Sequence, residues 1–215
     1  MPKGTDLKYD LLRLSSSTIN EIWDVGAHKG ETTLKFAGDF PTASIRSFEP
    51  VSENYNSLRN NCSHLNNQSS HNIALGEENK KSKIFLQGAS VIHSLRDDLN
   101  KPSGEDSKSE DIEVKTIDYV INDFKTAGID LLKIDVEGYE IEVLNGAYKS
   151  LAEKKINFIY VETGLDDRFN SIQSLIDFLK PTGYLPYAFY EQTAHWTGTQ
   201  NLWYWNTLFA HEELL

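Results

Sequence analysis

The chain has 215 residues, 39% of them hydrophobic, which is enough for one domain with a buried core and short for two. Its 21 Lys and Arg against 32 Asp and Glu give a net charge of −11 and a pI near 5.0, a balance that argues against broad attraction to DNA, RNA or anionic lipid. One cysteine, Cys62, leaves no partner for an internal disulfide, and no apolar run approaches the roughly 18 residues of a membrane helix.

The opening Met1-Pro2-Lys3-Gly4-Thr5-Asp6 is not followed by the apolar stretch of roughly 7–15 residues that a signal peptide needs, so the expected compartment is the reducing cytoplasm. The triplets Asn61-Cys62-Ser63 and Asn67-Gln68-Ser69 then carry little weight as glycosylation sites, since such triplets matter only in secreted chains. Ile19 to Val25 reads as a strand that breaks at Gly26 and Gly30 into a helix through Phe40. Ile45 to Phe48 is a second strand, ending at Glu49-Pro50, where proline lacks an amide donor and biases Glu49 away from helix. Ser52 is placed to cap a helix whose inward face is Tyr55, Leu58, Cys62 and Leu65, which makes Cys62 a core residue. His71 to Leu75 reads as a third strand, with Lys83 to Leu86 and Ile112 to Val114 as short strands of open pairing. Between Leu99 and Asp111 apolar side chains are nearly absent, which predicts a solvated loop.

Ile129 to Leu151 is the clearest unit: a buried strand, a turn at Gly138, and a helical stripe of Ile141, Leu144, Tyr148 and Leu151. A strand from Ile156 to Val161 follows. Asn170 or Ser171 then caps a helix carrying Ile172, Leu175, Ile176 and Leu179, stopped by Pro181 and Gly183. Tyr184 to Tyr190 and Leu202 to Ala210 are aromatic and lack helical periodicity, so they read as two strands joined by a polar loop. No repeat of 20–50 residues is present. The alternation predicts one α/β domain over 1–215, with a mainly parallel sheet to which the closing hairpin adds an antiparallel strand.

Four of these strands finish in a carboxylate: Asp24, Glu49, Asp135 and Glu162. In an open parallel sheet ligands bind outside the carboxyl ends of the strands, so these four are expected on one acidic edge. Packed carboxylates repel unless a cation or hydroxyl donors share the site, which points to a ligand carrying positive charge or hydroxyls. The turn from Asp24 to Gly30 leads into a helix whose free amides could meet an acceptor group, with Gly26 and Gly30 allowing close approach. His28 stands where the dinucleotide fingerprint needs its middle glycine, and no triphosphate-binding loop is present. Glu49 follows Gly30 by 19 residues, close to the interval of about 20 at which an acid reaches ribose hydroxyls. A nucleoside without a phosphate chain fits this pattern.

The blocks Asp-Val-Gly-Ala-His-Lys-Gly-Glu-Thr-Thr at 24–33, Phe-Glu-Pro-Val-Ser-Glu-Asn at 48–54 and Leu-Leu-Lys-Ile-Asp-Val-Glu-Gly-Tyr-Glu-Ile-Glu-Val-Leu-Asn-Gly-Ala at 131–147 resemble the FkbM-type S-adenosylmethionine-dependent methyltransferases. Tyr-Val-Glu-Thr at 160–163 and Asn-Thr-Leu-Phe-Ala at 206–210 resemble that family's late strands, so the likeness covers about residues 19–211. It implies the class I methyltransferase (Rossmann-like) fold: a seven-stranded, mainly parallel sheet with an antiparallel last strand and helices on both faces. It also implies S-adenosylmethionine as cofactor, with Asp24, Gly26, Ala27 and Gly30 bordering the methionine part and Glu49 holding the ribose. Adenine is expected near Ala74 and Leu75, and Asp135 facing the reacting methyl.

Asp135, Glu137 or Glu162 could take the proton of an acceptor hydroxyl, ranked Asp135 first and Glu137 second; helix capping is the plainer role for the first two. A carboxylate cluster could instead hold Mg²⁺ or Ca²⁺, although no metal is expected. His28 is a loop residue or a second group over the cofactor, and Glu140 and Glu142 are solvated or capping charges. Trp196, Trp203, Tyr204 and Trp205 are either a sugar-stacking platform or strand packing. The expected activity is O-methylation of a hydroxyl on a small molecule or glycan, with specificity carried by loops such as 88–111 and 191–201. The other classes are a cofactor-binding module without transferase activity, a nicotinamide oxidoreductase, and an RNA 2′-O-methyltransferase. The charge of −11 and the absence of an Asn-Pro-Pro-Tyr-like motif disfavour nucleic acid, DNA most of all.

Overall fold

The computed structural model describes residues 1–15, 18–86, 95, 108–165, 170–194 and 202–215. The chain opens with α1 (Leu7–Leu14), β1 (Glu21–Val25), α2 (Glu31–Asp39), β2 (Ser44–Phe48) and α3 (Ser52–Asn61). Four strands follow, β3 (Gln68–His71), β4 (Ala74–Leu75), β5 (Lys80–Phe85) and β6 (Ser109–Lys115). Then come α4 (Ile117–Asp123), β7 (Ile129–Ile134), α5 (Glu140–Asn145), α6 (Tyr148–Ala152), β8 (Ile156–Gly164) and α7 (Ile172–Leu179), closing on β9 (Tyr184–Ala194) and β10 (Leu202–His211).

The central sheet has seven strands in the order β3-β2-β1-β7-β8-β10-β9. From β3 to β8 every pairing is parallel, and β10 runs antiparallel to both β8 and β9. This is the seven-stranded α/β architecture with helices on both faces and an antiparallel last strand. Strand alternation assigns the faces. Trp23, Val25, Leu132, Ile134, Ile159 and Val161 point to one side, against Val120 of α4, Leu144 of α5, Leu151 of α6 and Leu175 of α7. Ile22, Leu131, Phe158 and Leu208 point to the other, against Leu11 of α1 and Phe36 of α2. Each such side chain contributes about 1.5–3 kcal/mol when fully buried. The strand order reverses between β1 and β7, and the crevice at a reversal point is where such sheets receive ligands.

Several expectations are corrected. Residues 71–75 are not one strand: His71 ends β3 beside Phe48, Asn72 donates to the Glu49 and Pro50 carbonyls, and Ala74–Leu75 pairs with β6. That second sheet, β4-β6-β5, supplies the pairing the sequence left open, with β5 antiparallel and β4 parallel to β6. Ser109 and Glu110, expected in a solvated loop, are strand residues of β6; positions 100–107 of that loop lie outside the described residues. Ser52 is not a cap, since Val51 holds that position and the Ser52 amide donates to Glu110 at 3.0 Å. The helix after Gly138 breaks in two at Gly146, where a Cβ would stand 2.0 Å from the Gly76 carbonyl oxygen, and Tyr148 is left 61% exposed instead of inward. Ser171, not Asn170, caps α7. Helix α1 was not expected; Asp6 caps it and its Leu7 and Leu11 are buried. Among the described residues no helix is long and apolar enough to cross a membrane.

Candidate active site

The turn after β1 is closed by the neighbouring strand. The amides of Gly26 and Ala27 both donate to the Phe48 carbonyl at 3.0 Å, and the His28 amide donates to Glu49 Oε2 at 3.0 Å. These turn amides are therefore used inside the protein. The two glycines likewise serve the chain's own packing. A Cβ on Gly26 (φ 76°) would lie 1.8 Å from the Asp135 carbonyl oxygen, and one on Gly30 (φ 96°) 2.9 Å from Leu58 Cδ1 and 3.0 Å from Cys62 Sγ. Cys62 is buried beside Leu58 and Ala27, as expected of a core residue.

Glu49 is 5% exposed and accepts from the Val51 amide at 2.9 Å as well as from His28. Burial dominates its titration and, despite those hydrogen bonds and one from Asn54, pushes its pKa up to about 7. A carboxylate offers about four acceptor positions, so three donors leave capacity for a ligand hydroxyl.

The strand-end acids do not stand alone. Lys133, which sequence reasoning passed over inside the block it quoted, is 4% exposed, with its Nζ 3.0 Å from Asp24 Oδ1, 3.1 Å from the Gly26 carbonyl and 3.5 Å from Asp135 Oδ2. The signal was the period of two: along a strand, positions 131, 133 and 135 share a face with Asp24. Asp24 is fully buried and also accepts from Thr33 Oγ1 at 2.6 Å, so it lies behind the site rather than in it. Glu162 is 9% exposed, and its pKa is pushed up to about 9 by burial first, then by Asp135, Glu137 and Glu140. A carboxyl protonated at neutral pH is a poor proton acceptor.

The turn after β7 is built by a residue read as a solvated or capping charge. Glu140 is buried, and its Oε1 accepts from the amides of Val136 at 3.2 Å and Gly138 at 3.1 Å, while Oε2 accepts from Asn170 Nδ2 at 2.6 Å. Burial still raises its pKa. This clamp sets Glu137 in the left-handed region at φ 54°, the conformation His28 adopts at φ 48° in the first turn. Non-glycine residues held there concentrate at functional sites.

Between the two turns lies a cleft of about 240 Å³. Of the predicted residues, Gly26, Ala27, His28, Glu49, Ala74, Leu75, Asp135 and Glu137 line it. Asp24, Gly30 and Glu162 do not: the first two face inward onto Lys133 and α3, and the third is buried on β8. Sequence reasoning missed Ile73, Ile84 and Tyr139 on the wall; Ile84 comes from the second sheet, which no strand-end pattern announces. The cleft thus offers a buried acceptor for hydroxyls, an apolar wall at Ile73 to Leu75 and Ile84 for a flat base, and the carboxylates of Asp135 and Glu137 for a cation. Among the described residues no three His, Cys, Asp or Glu side chains form a group that could hold a metal. Trp205 is buried, donates to Thr207 Oγ1 at 3.0 Å and packs edge-on against Phe189 at 5.8 Å, so it serves strand packing; Trp203 and Tyr204 pack on each other at 5.2 Å, and Trp196 lies outside the described residues.

Comparison with known proteins accords with this geometry. Methyltransferase sdnD of Sordaria araneosa is 30% identical over 171 residues, 66% of this chain and 65% of that protein's length. Precorrin-6y C5,15-methyltransferase of Geobacter metallireducens superposes with a TM-score of 0.51 at 11% identity, over 95% of this chain and 87% of that one. Sp1610 of Streptococcus pneumoniae, a candidate tRNA (m1A22) methyltransferase solved with S-adenosyl-L-methionine, superposes at 0.53 and 11% identity, over 96% and 72%. These likenesses show the class I methyltransferase fold. Residues 24–186 match the methyltransferase FkbM domain, and the chain belongs to the FkbM family of S-adenosylmethionine-dependent methyltransferases.

Proposed function

We propose that the chain, working as one domain with its core at about 19–211, binds S-adenosylmethionine in this cleft and methylates a hydroxyl of a small molecule or glycan. The observation that carries the cofactor assignment is Glu49: a carboxylate buried at the cleft, held by the His28 and Val51 amides, with acceptor capacity left for ribose hydroxyls. Ala74 and Leu75, with Ile73 and Ile84, offer the apolar surface that adenine needs, and Ala27 and His28 border the methionine end. When bound, the cofactor supplies an electrophilic methyl on a sulfonium. Asp135 and Glu137 favour that positive charge and stand ready to take the acceptor's proton as the oxygen–carbon bond forms and the sulfur–carbon bond breaks. Asp135 ranks first because Lys133 holds it; Glu137 ranks second. Glu162, protonated and outside the cleft, drops out as the base. The net charge of −11 favours a small or glycan acceptor over nucleic acid.

Calorimetric titration with S-adenosylmethionine and S-adenosylhomocysteine tests the assignment, with Glu49→Ala as control. Micromolar binding that weakens at least about tenfold in Glu49→Ala is the expected result. Absence of binding by the wild type overturns it. With an acceptor found by screening hydroxyl compounds, full turnover by both Asp135→Asn and Glu137→Gln would remove these residues as the base.

A further inference from the structure

Lys133 borders the cleft from the middle of the central sheet, where an isolated ammonium would shed its proton. Burial alone pulls its pKa down, and Asp24 and Asp135 outweigh burial, so the group stays charged. Three oxygens surround this ammonium: it donates to the Gly26 carbonyl at 3.1 Å and pairs by charge with Asp24 Oδ1 at 3.0 Å and Asp135 Oδ2 at 3.5 Å. The three oxygens belong to different parts of the site. Asp24 is the anchor, fixed from α2 by Thr33, whose hydroxyl also meets Ser47 of β2 at 2.8 Å. Gly26 belongs to the first turn. Asp135, with a side chain 38% exposed, is the carboxylate that faces the cleft.

We propose, on the cofactor assignment above, that Lys133 is a positioning residue for cofactor binding. Its ammonium ties the Gly26 turn to Asp135, fixing the spacing of the two cleft walls and the aim of the Asp135 carboxylate. It acts through Asp135 and touches no ligand. Without it, Asp135 would turn toward solvent, away from its like-charged neighbour Glu137. Asp24 accordingly acts as the anchor of Lys133 rather than as a cofactor contact.

Lys133→Met alone would strand the Asp24 carboxylate in the core, a change that commonly prevents folding. The pair Asp24→Asn with Lys133→Met removes both charges and keeps the volume. Four proteins are titrated calorimetrically with S-adenosylmethionine: wild type, Asp135→Asn, the charge-free pair, and the pair combined with Asp135→Asn. The pair is expected to unfold cooperatively and to bind about tenfold more weakly than wild type. Asp135→Asn is expected to cost about tenfold in the wild-type background and nothing further in the pair, the non-additivity of residues acting as one unit. A merely structural lysine would not produce that coupling. The same fold-change for Asp135→Asn in both backgrounds, or wild-type affinity in the pair, overturns the positioning role and leaves the cofactor assignment standing. Failure of the wild type to bind overturns both.

Discussion

The turns after β1 and β7 leave neighbouring strands at one sheet edge and share a backbone device, a left-handed glycine close to a left-handed side chain: Gly26 with His28, and Gly138 with Glu137. They are closed in different ways. The first hands its amides across the sheet to Phe48 and Glu49, so its shape depends on β2. The second is closed from within by Glu140, two residues beyond Gly138, with Asn170 on the remaining oxygen. Glu140 accepts from four protein donors, the amides of Val136, Gly138 and Glu140 itself and the Asn170 side chain, and does not line the cleft, whereas Glu49 lines it, accepts from three and keeps an acceptor position. Two buried carboxylates of the same edge thus divide into one that holds the fold and one that can hold a ligand.

The largest expected effect tests how tightly the first turn is bound to the second. Gly26→Ala places a methyl 1.8 Å from the Asp135 carbonyl in a left-handed backbone, and should cost about 3 kcal/mol or more in urea unfolding. Gly138→Ala meets the left-handed penalty at φ 90°, about 1–2 kcal/mol. Equal losses would mean that the first turn relaxes independently of β7. Next comes the division of labour between the carboxylates. Glu140→Ala leaves two amides and Asn170 without their partner, at about 2–3 kcal/mol of stability. Glu49→Ala should cost under about 1 kcal/mol, because its amides can take water from the cleft, while cofactor affinity falls at least about tenfold. Unfolding and calorimetry on both variants would show the two losses exchanged if the comparison is wrong.

The sequence carried much of this edge because strands and carboxylates announce themselves locally. Asp24, Glu49, Asp135 and Glu162 end apolar runs, and Leu175 and Leu179 keep a helical period that survives in α7. What was illegible depends on distance. The purpose of Gly26 lies in a contact with Asp135, over a hundred residues away, and Glu140 looks solvated until Asn170 arrives from before α7. Residues 71–75 split because β6, far along the chain, draws Ala74 and Leu75 into a second sheet. Lys133 was legible by period and was overlooked, since a charge within an apolar strand reads as an exception until its partners are known. Helix α1 was legible too: Asp6 before Leu7, Leu11 and Leu14 is a capped amphipathic start.

The third test sharpens the comparison through protons. Glu49, raised to about 7 mainly by burial, is partly protonated at neutral pH. Ligand hydroxyls donate best to the anion, so affinity for S-adenosylmethionine should climb by up to about tenfold between pH 6 and pH 8. In Glu49→Gln the profile should be flat; an unchanged slope would assign the proton to another group.

The last test concerns Glu162, the one strand-end carboxylate that neither turn uses. Its Oε2 is buried with no hydrogen-bond partner among the described residues, and its pKa lies near 9 against an ordinary 4.5, from burial first and from Asp135 next. Between those values the folded chain binds a proton that the unfolded chain has released, so this group's contribution to stability falls as pH rises through that window. Glu162→Gln keeps the shape and removes the ionisation. Its stability in urea should therefore exceed that of the wild type at pH 8, with the gain shrinking toward pH 4.5. A loss at pH 8 would mean that Glu162 is ionised and paired in the folded chain, and the acidic crowding ascribed to Asp135 and Glu137 would have to be relieved by a cation other than Lys133.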